Sequence, residues 1–189
     1  LFNSRMKTIF RTSQFELQPN QEQKKLLDKH FGCIRFVYNH FLNERKEQYQ
    51  ADKKSDNYYA QAATLTELKK KEETIWLKEV NSQSLQFALK CLDSAYVNFF
   101  AGRTKFPRFK SKKNKNTFTV PQFAILEENK LYIPKFKEGI KVIVHREIKG
   151  EIGKCTFSKT PTGKYFVSIL TEQEYEPSKK TGKSVGIDL

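Results

Sequence analysis

Lys7-Thr-Ile-Phe-Arg-Thr-Ser-Gln-Phe-Glu-Leu-Gln18, followed at once by Pro19-Asn20, decides the architecture of this chain. Phe15 and Leu17 alternate with polar residues, which is the period of a β-strand. Pro19 breaks the strand. Asn20 can then cap a helix, and Gln23 three residues later completes a capping box. Helical spacing persists as far as Phe99, and strand texture returns only after Ala101. A first strand, a helical block and a second set of strands predict an α+β chain. In it, the helices are an insertion after the first strand of a β structure.

Within the helical block, Leu27, Phe31, Ile34, Tyr38 and Phe41 are spaced 4-3-4-3 and form one apolar stripe. Gly32 interrupts the stripe. It either splits the segment into two helices or permits close packing. Residues 51–58 are polar and predict a loop. A second helix covers about 59–73, with Trp76, Leu77 and Val80 at its far end. Asn81-Ser82 offers another N-cap. Leu85, Leu89, Leu92, Tyr96 and Phe99 then repeat the 4-3-4-3 spacing. Three or four helices with single stripes predict a small bundle whose aromatics are core.

Short strands are predicted at 117–125, 130–134, 139–146, 154–159 and 164–172. Turn signals stand at Asn129 and at Pro161-Thr162-Gly163. With the N-terminal strand these five suggest a small barrel. Residues 176–183, Glu-Pro-Ser-Lys-Lys-Thr-Gly-Lys, have a linker's composition. Beyond them, Ser184-Val-Gly-Ile-Asp188-Leu189 is an apolar run with one acid. Read alone, that run is an edge strand with a solvent-facing Asp.

Sixteen Phe and eight Tyr among 189 residues suffice for a real core, so wholesale disorder is excluded. The net charge is +14, carried unevenly: +4 over residues 1–99 and +10 over 100–189. Such an excess points to a polyanion, nucleic acid first and an acidic membrane surface second. No apolar run approaches the length of a membrane span, and no signal peptide is visible, so a cytoplasmic location is expected. Met6 reads as a natural start. Cys33, Cys91 and Cys155 are far apart and contain no CxxC pair, so they predict buried thiols rather than a zinc site. His30 and His40 read as helix-surface residues, and His145 joins neither in a ligand spacing.

The strongest binding signal is 105–115, Lys-Phe-Pro-Arg-Phe-Lys-Ser-Lys-Lys-Asn-Lys, with six cations and no acid. Lys105, Arg108, Lys110, Lys112, Lys113 and Lys115 can neutralise phosphates. Phe106 and Phe109 can stack on bases or anchor the segment. Ser82 and Gln86 near the start of the last helix form a second candidate, because polar groups at a helix N-terminus can face phosphates and base edges. Asn39, beside the striped Tyr38, can hydrogen-bond a phosphate or a neighbouring loop.

In order along the chain, five motifs resemble those of the TnpB (OrfB) family, transposon-encoded RNA-guided DNA endonucleases related to type V CRISPR effectors. They are Phe15-Glu-Leu-Gln-Pro19-Asn-Gln-Glu-Gln23, Gly32-Cys-Ile-Arg35-Phe-Val-Tyr38-Asn39, a block of Trp76-Leu with Leu85-Gln86 and Ala95-Tyr-Val-Asn98-Phe-Phe, Phe106-Pro-Arg-Phe-Lys110, and Gly186-Ile-Asp188. The resemblance covers about Lys7 to Leu189, and it implies the N-terminal half of such a protein. It implies a wedge β-barrel, OB-like, at 6–18 and 106–175, and a helical recognition insertion at 19–105. A linker at 176–183 and the first strand of a RuvC-like, RNase-H-like nuclease at 184–189 follow.

The implied partners are a guide RNA and a double-stranded target DNA with a short motif beside the target, in the setting of insertion-sequence transposition. By position Tyr59 and Gln86 match residues that face that motif, Val120 falls at a neighbouring contact position with Thr119 beside it, and Ser82 stands where a basic residue can occur. Asp188 matches the first metal-binding carboxylate. The later carboxylates, the Mg²⁺ they would hold and a four-cysteine zinc element would lie beyond Leu189, so this chain is expected to bind nucleic acid without cutting it. Two alternatives stand beside this reading: a stand-alone DNA-binding or repressor module of the same descent, and an interaction protein with an incidental basic patch.

Overall fold

The structure, a computed structural model, describes residues 6–53, 55–113 and 116–176. Strand β1 runs Lys7–Gln18. Helix α1 runs Gln21–Asp52, α2 Tyr58–Leu68 and α3 Ser82–Phe100, with a 3-10 helix at Glu72–Glu79 between α2 and α3. Six further strands follow: β2 Asn116–Val120, β3 Ile125–Glu127, β4 Lys130–Ile133, β5 Phe136–Ile143, β6 Glu151–Lys159 and β7 Tyr165–Tyr175.

The predicted capping box is present. Asn20 Oδ1 accepts from the Gln23 N–H at 2.8 Å, and Gln23 Oε1 accepts from the Asn20 N–H at 3.1 Å. The same Gln23 donates its Nε2 to Gly139 O at 2.7 Å, which ties the helix start to β5. Gly32 neither splits α1 nor mediates close packing: the helix is continuous through it, and nothing lies within 4 Å of where its Cβ would be. The loop after α1 is shorter than predicted, because α1 continues to Asp52. The second helix ends early, at Leu68. The Thr74 hydroxyl donates to the Leu68 carbonyl, which also accepts the Lys71 N–H at 3.3 Å, and Trp76 and Leu77 belong to the 3-10 helix instead.

All seven strands form one antiparallel sheet in the order β2-β6-β7-β1-β5-β4-β3. The first strand is its middle. β1 pairs with β7 from Lys7 to Leu17 and with β5 through Glu16–Gln18. The predicted 117–125 strand is two strands at opposite edges. Pro121 has no N–H for a ladder, and Phe123 takes a left-handed φ of 64°. Among the described residues no ladder joins β2 to β3, so the hydrogen bonding is that of an open sheet. Gly150, at φ 85°, makes the turn into β6 possible: a Cβ there would lie 2.1 Å from Glu172 O.

Helices and sheet share one core. Phe118 of β2 stacks on Phe157 of β6 at 4.8 Å and receives His30 (4.9 Å) and Phe31 (5.2 Å) from α1. Truncating buried rings of this kind typically costs about 3–5 kcal/mol. At the far end of this contact, Lys159 of β6 and the Tyr165 hydroxyl of β7 both reach Asp28 of α1, at 2.8 and 3.0 Å. The insertion is therefore seated on β2, β6 and β7, and through Gln23 and through His30, whose ring lies 5.5 Å from Phe136, it also reaches β5.

Candidate nucleic-acid interface

Two asparagines hold the basic segment on the fold. The Asn39 side chain accepts the Lys110 N–H at 2.7 Å and donates to the Lys110 carbonyl at 2.9 Å. Asn116, at the start of β2, donates to the Lys112 carbonyl at 3.3 Å and accepts from Arg35 Nη1 at 3.2 Å. Of the two partners open to Asn39 in the sequence, the structure supplies the loop. Pinned in this way, the segment alternates. Pro107 is buried, and Phe106 packs edge-on against Phe99 (5.2 Å) and Tyr96 (5.7 Å). Lys105, Arg108, Lys112 and Lys113 are exposed. Phe109 lies under the Lys46 ammonium at 5.2 Å. Lys110 is half-buried, with its ammonium 4.4 Å from the Tyr38 ring centroid, and burial pulls its pKa below the usual lysine value. Lys115 lies outside the described residues.

The start of α3 is held from beneath. Asn81 caps it by accepting from the Gln83 N–H at 3.1 Å, and its own N–H donates to His30 Nε2 at 3.1 Å. His30 Nδ1 faces the Leu26 carbonyl at 2.8 Å. An acceptor at Nε2 and a carbonyl at Nδ1 require the neutral ring with its proton on Nδ1. Burial lowers the His30 pKa from 6.5 to about 4, against the opposing pull of the Leu26 hydrogen bond. His30 is thus a fully buried strut, not a helix-surface residue. The helix stripe misled because position 30 lies beside Leu27 and Phe31 on the covered face.

From this end, Ser82 and Gln86 project outward and are exposed. Lys69 Nζ donates to Ser82 Oγ at 3.3 Å, so an ammonium stands at that position although the residue there is serine. Tyr59 is 78% exposed and sits edge-on to Tyr58 at 5.4 Å. Tyr58, Gln83, Gln86 and Lys90 face Pro121-Gln122 across a small cleft of about 100 Å³, with Lys90 Nζ 5.5 Å from the Tyr58 ring. Thr119 shares a 3.0 Å hydroxyl contact with Thr156, and Val120 is fully buried in the core.

These stations are linked. Phe87 and Lys90 also line a larger cleft of about 770 Å³ with Cys91, Lys105 and Arg108. Arg108 in turn lines a third, of about 310 Å³, with Arg35 and Lys110. Among the described residues no carboxylate lines any of the three. The only acid of α3, Asp93, is turned the other way, onto Arg45 at 2.8 Å. Cys91 is exposed in this groove, contrary to the expected buried thiol, while Cys33 and Cys155 are buried and burial pushes them up to about 11 and about 12. Lys90 carries no signal in the sequence, and Arg35 enters there only as a motif position without a binding role. Each stands four residues from a singled-out residue, Gln86 and Asn39, and so on the same helix face.

Among the described residues no three His, Cys, Asp or Glu side chains gather where a metal ion could sit. Asp188, the expected first nuclease carboxylate, lies outside the described residues, as do the rest of 184–189 and most of the 176–183 linker. No helix among the described residues is long and apolar enough to cross a membrane.

Residues 6–54 match the OrfB/IS605 helix-turn-helix domain. In this structure that stretch holds a strand and a single unbroken helix, with no turn between two helices. Over 187 residues the chain is 36% identical to a "Putative RNA-guided DNA endonuclease" of Streptomyces pristinaespiralis, covering 97% of this chain and 46% of that protein. To the protein of the same description named InsQ, of Escherichia coli K12, it is 35% identical over 178 residues, 93% of this chain and 44% of InsQ. To the virulence protein VsdF of Salmonella dublin it is 34% identical over 116 residues, 57% of this chain and 98% of VsdF. The chain therefore spans less than half the length of the two endonuclease relatives.

Proposed function

Because the chain belongs to the TnpB (OrfB) family, we propose that it is the nucleic-acid-binding portion of an RNA-guided DNA endonuclease, holding guide RNA and the DNA motif beside the target. The observation that carries this reading is the groove along α3, lined by Lys90, Lys105, Arg108 and Arg35 and by no acid. A cationic trough without carboxylates suits a phosphate backbone, and Lys105, Arg108, Lys112, Lys113 and Lys115 supply contacts that do not depend on sequence. Tyr59, Ser82 with Lys69, Gln86 and the Thr119 region form the reading end. A glutamine on a rigid helix can pair with an adenine edge.

On this reading the sheet, 6–18 with 106–175, is the OB-like wedge, and 19–105 is the recognition insertion. Residues 176–183 are the linker and 184–189 open the RuvC-like nuclease, with Asp188 its first carboxylate. A two-metal site needs several oxygen ligands. On this reading Asp188 would be one of them.

The test is binding of RNA and duplex DNA across about 50 to 200 mM salt. A steep linear fall of log K with log salt, with duplex selectivity that requires RNA, is the expected result. A flat dependence sinks the reading. Tight selective duplex binding without RNA would favour a stand-alone DNA-binding module instead.

A further inference from the structure

Off the groove, on the other side of Phe106, lies a second kind of cleft. It holds about 290 Å³ between α1 and the end of α3, near the lower limit of small-molecule sites. Its walls are Tyr49, Tyr96, Phe99, Phe100 and Phe106, with Arg45 behind. Tyr49 is 50% and Phe100 68% exposed, so two of the cleft's rings stand open to an incoming group. The rings are ordered against each other: Phe100 stacks on Tyr96 at 6.1 Å, Phe106 stands edge-on to both Tyr96 and Phe99, and the Arg45 guanidinium lies 4.8 Å over Tyr96.

We propose that this cleft receives one unpaired nucleobase of a strand whose phosphates lie along Lys105 and Arg108. Two observations select that occupant over an apolar peptide. Phe106 lines both clefts, so the aromatic pocket opens from the cationic groove with no gap between phosphate contacts and ring contacts. Lys46 joins the lining of the pocket, which keeps its rim cationic. Stacking on aromatic side chains tolerates any base, so the pocket would bind an unpaired nucleotide without selecting its identity.

This inference rests on the nucleic-acid reading above, and the experiment separates the two. A single-stranded oligonucleotide carrying one fluorescent purine analogue, made as DNA and as RNA, is titrated beside a blunt duplex of the same sequence. The proteins are the full chain and its Tyr49→Ala/Phe100→Ala variant; both side chains are exposed, so the fold is retained. The expected result is quenching of the analogue on binding, and a loss of about 5- to 100-fold in single-strand affinity in the variant. Duplex affinity and the salt slope should be unchanged. The DNA and RNA arms show which strand supplies the base. Equal loss on single strand and duplex, or no loss on either while the salt slope stays steep, overturns this proposal alone and leaves the cleft to a polypeptide segment. Absence of any salt-dependent binding overturns both.

Discussion

The first turn of α3 and the 105–113 segment lie on one groove but are held by opposite means. The helix end is positioned by regular geometry. Asn81 caps it, His30 supports the cap, and Gln86 and Lys90 follow at helical spacing on an outer face. The segment has no regular structure, and its place is set by two side-chain amides gripping its backbone. The materials differ as well. The helix end offers amides and a hydroxyl with Lys69 and Lys90 beside them, and the segment offers mainly exposed cations, with Lys110 laid over the Tyr38 ring. Neutral donors and acceptors on a rigid support suit discrimination between bases, while charges on a pinned loop suit affinity without discrimination.

The largest effect should come from removing the charge. Lys105→Ala with Arg108→Ala and Lys112→Ala is expected to weaken binding to every sequence, on the order of 100-fold, and to lower the log–log salt slope by about 2–3. Fluorescence anisotropy titrations against several sequences measure this. A loss confined to one sequence would break the division of labour.

Acid should act next, and on the helix end. The neutral His30 ring is the acceptor for Asn81, and its pKa in the fold, about 4, lies below the ordinary 6.5. The unfolded chain therefore binds the proton more readily. The stability that His30 contributes is complete above pH 6.5 and is lost progressively as pH falls toward 4, on the order of 3 kcal/mol in all. Urea midpoints that hold constant from pH 6.5 down to about 5 would contradict it.

Gln86→Ala carries the smallest and most selective effect. It should relax preference at one base position by about 1–3 kcal/mol and leave the salt slope alone. A uniform loss across sequences would move Gln86 from reading to mere positioning.

How far the sequence anticipated these two regions follows from how each is held. Local rules carried the helix end: the Asn20 and Asn81 caps and both 4-3-4-3 stripes are visible because they act within one or two turns. The β1 alternation was visible only at Phe15 and Leu17, since the strand's first six residues are exposed and leave no pattern to read. The 117–125 run misled because its apolar character continues through Pro121, where the chain changes edges of the sheet. His30 escaped because a histidine on a stripe's margin is buried or exposed according to what packs on it, here Phe118 from a strand far along the chain. The pins on the basic segment are long-range pairs, Asn39 to Lys110 and Arg35 to Asn116. No local pattern announces these pairings.

The Asn39 grip has a consequence for change in this molecule. Its two hydrogen bonds engage only the main chain at position 110. They hold the segment's course without requiring any particular side chain on either side. Arg108 and Lys112 can thus be exchanged for other residues while the path of the chain stays put. Main-chain grips of this kind make the surface an interchangeable cassette: the frame is held from α1 and β2, and the chemistry it displays is free to drift.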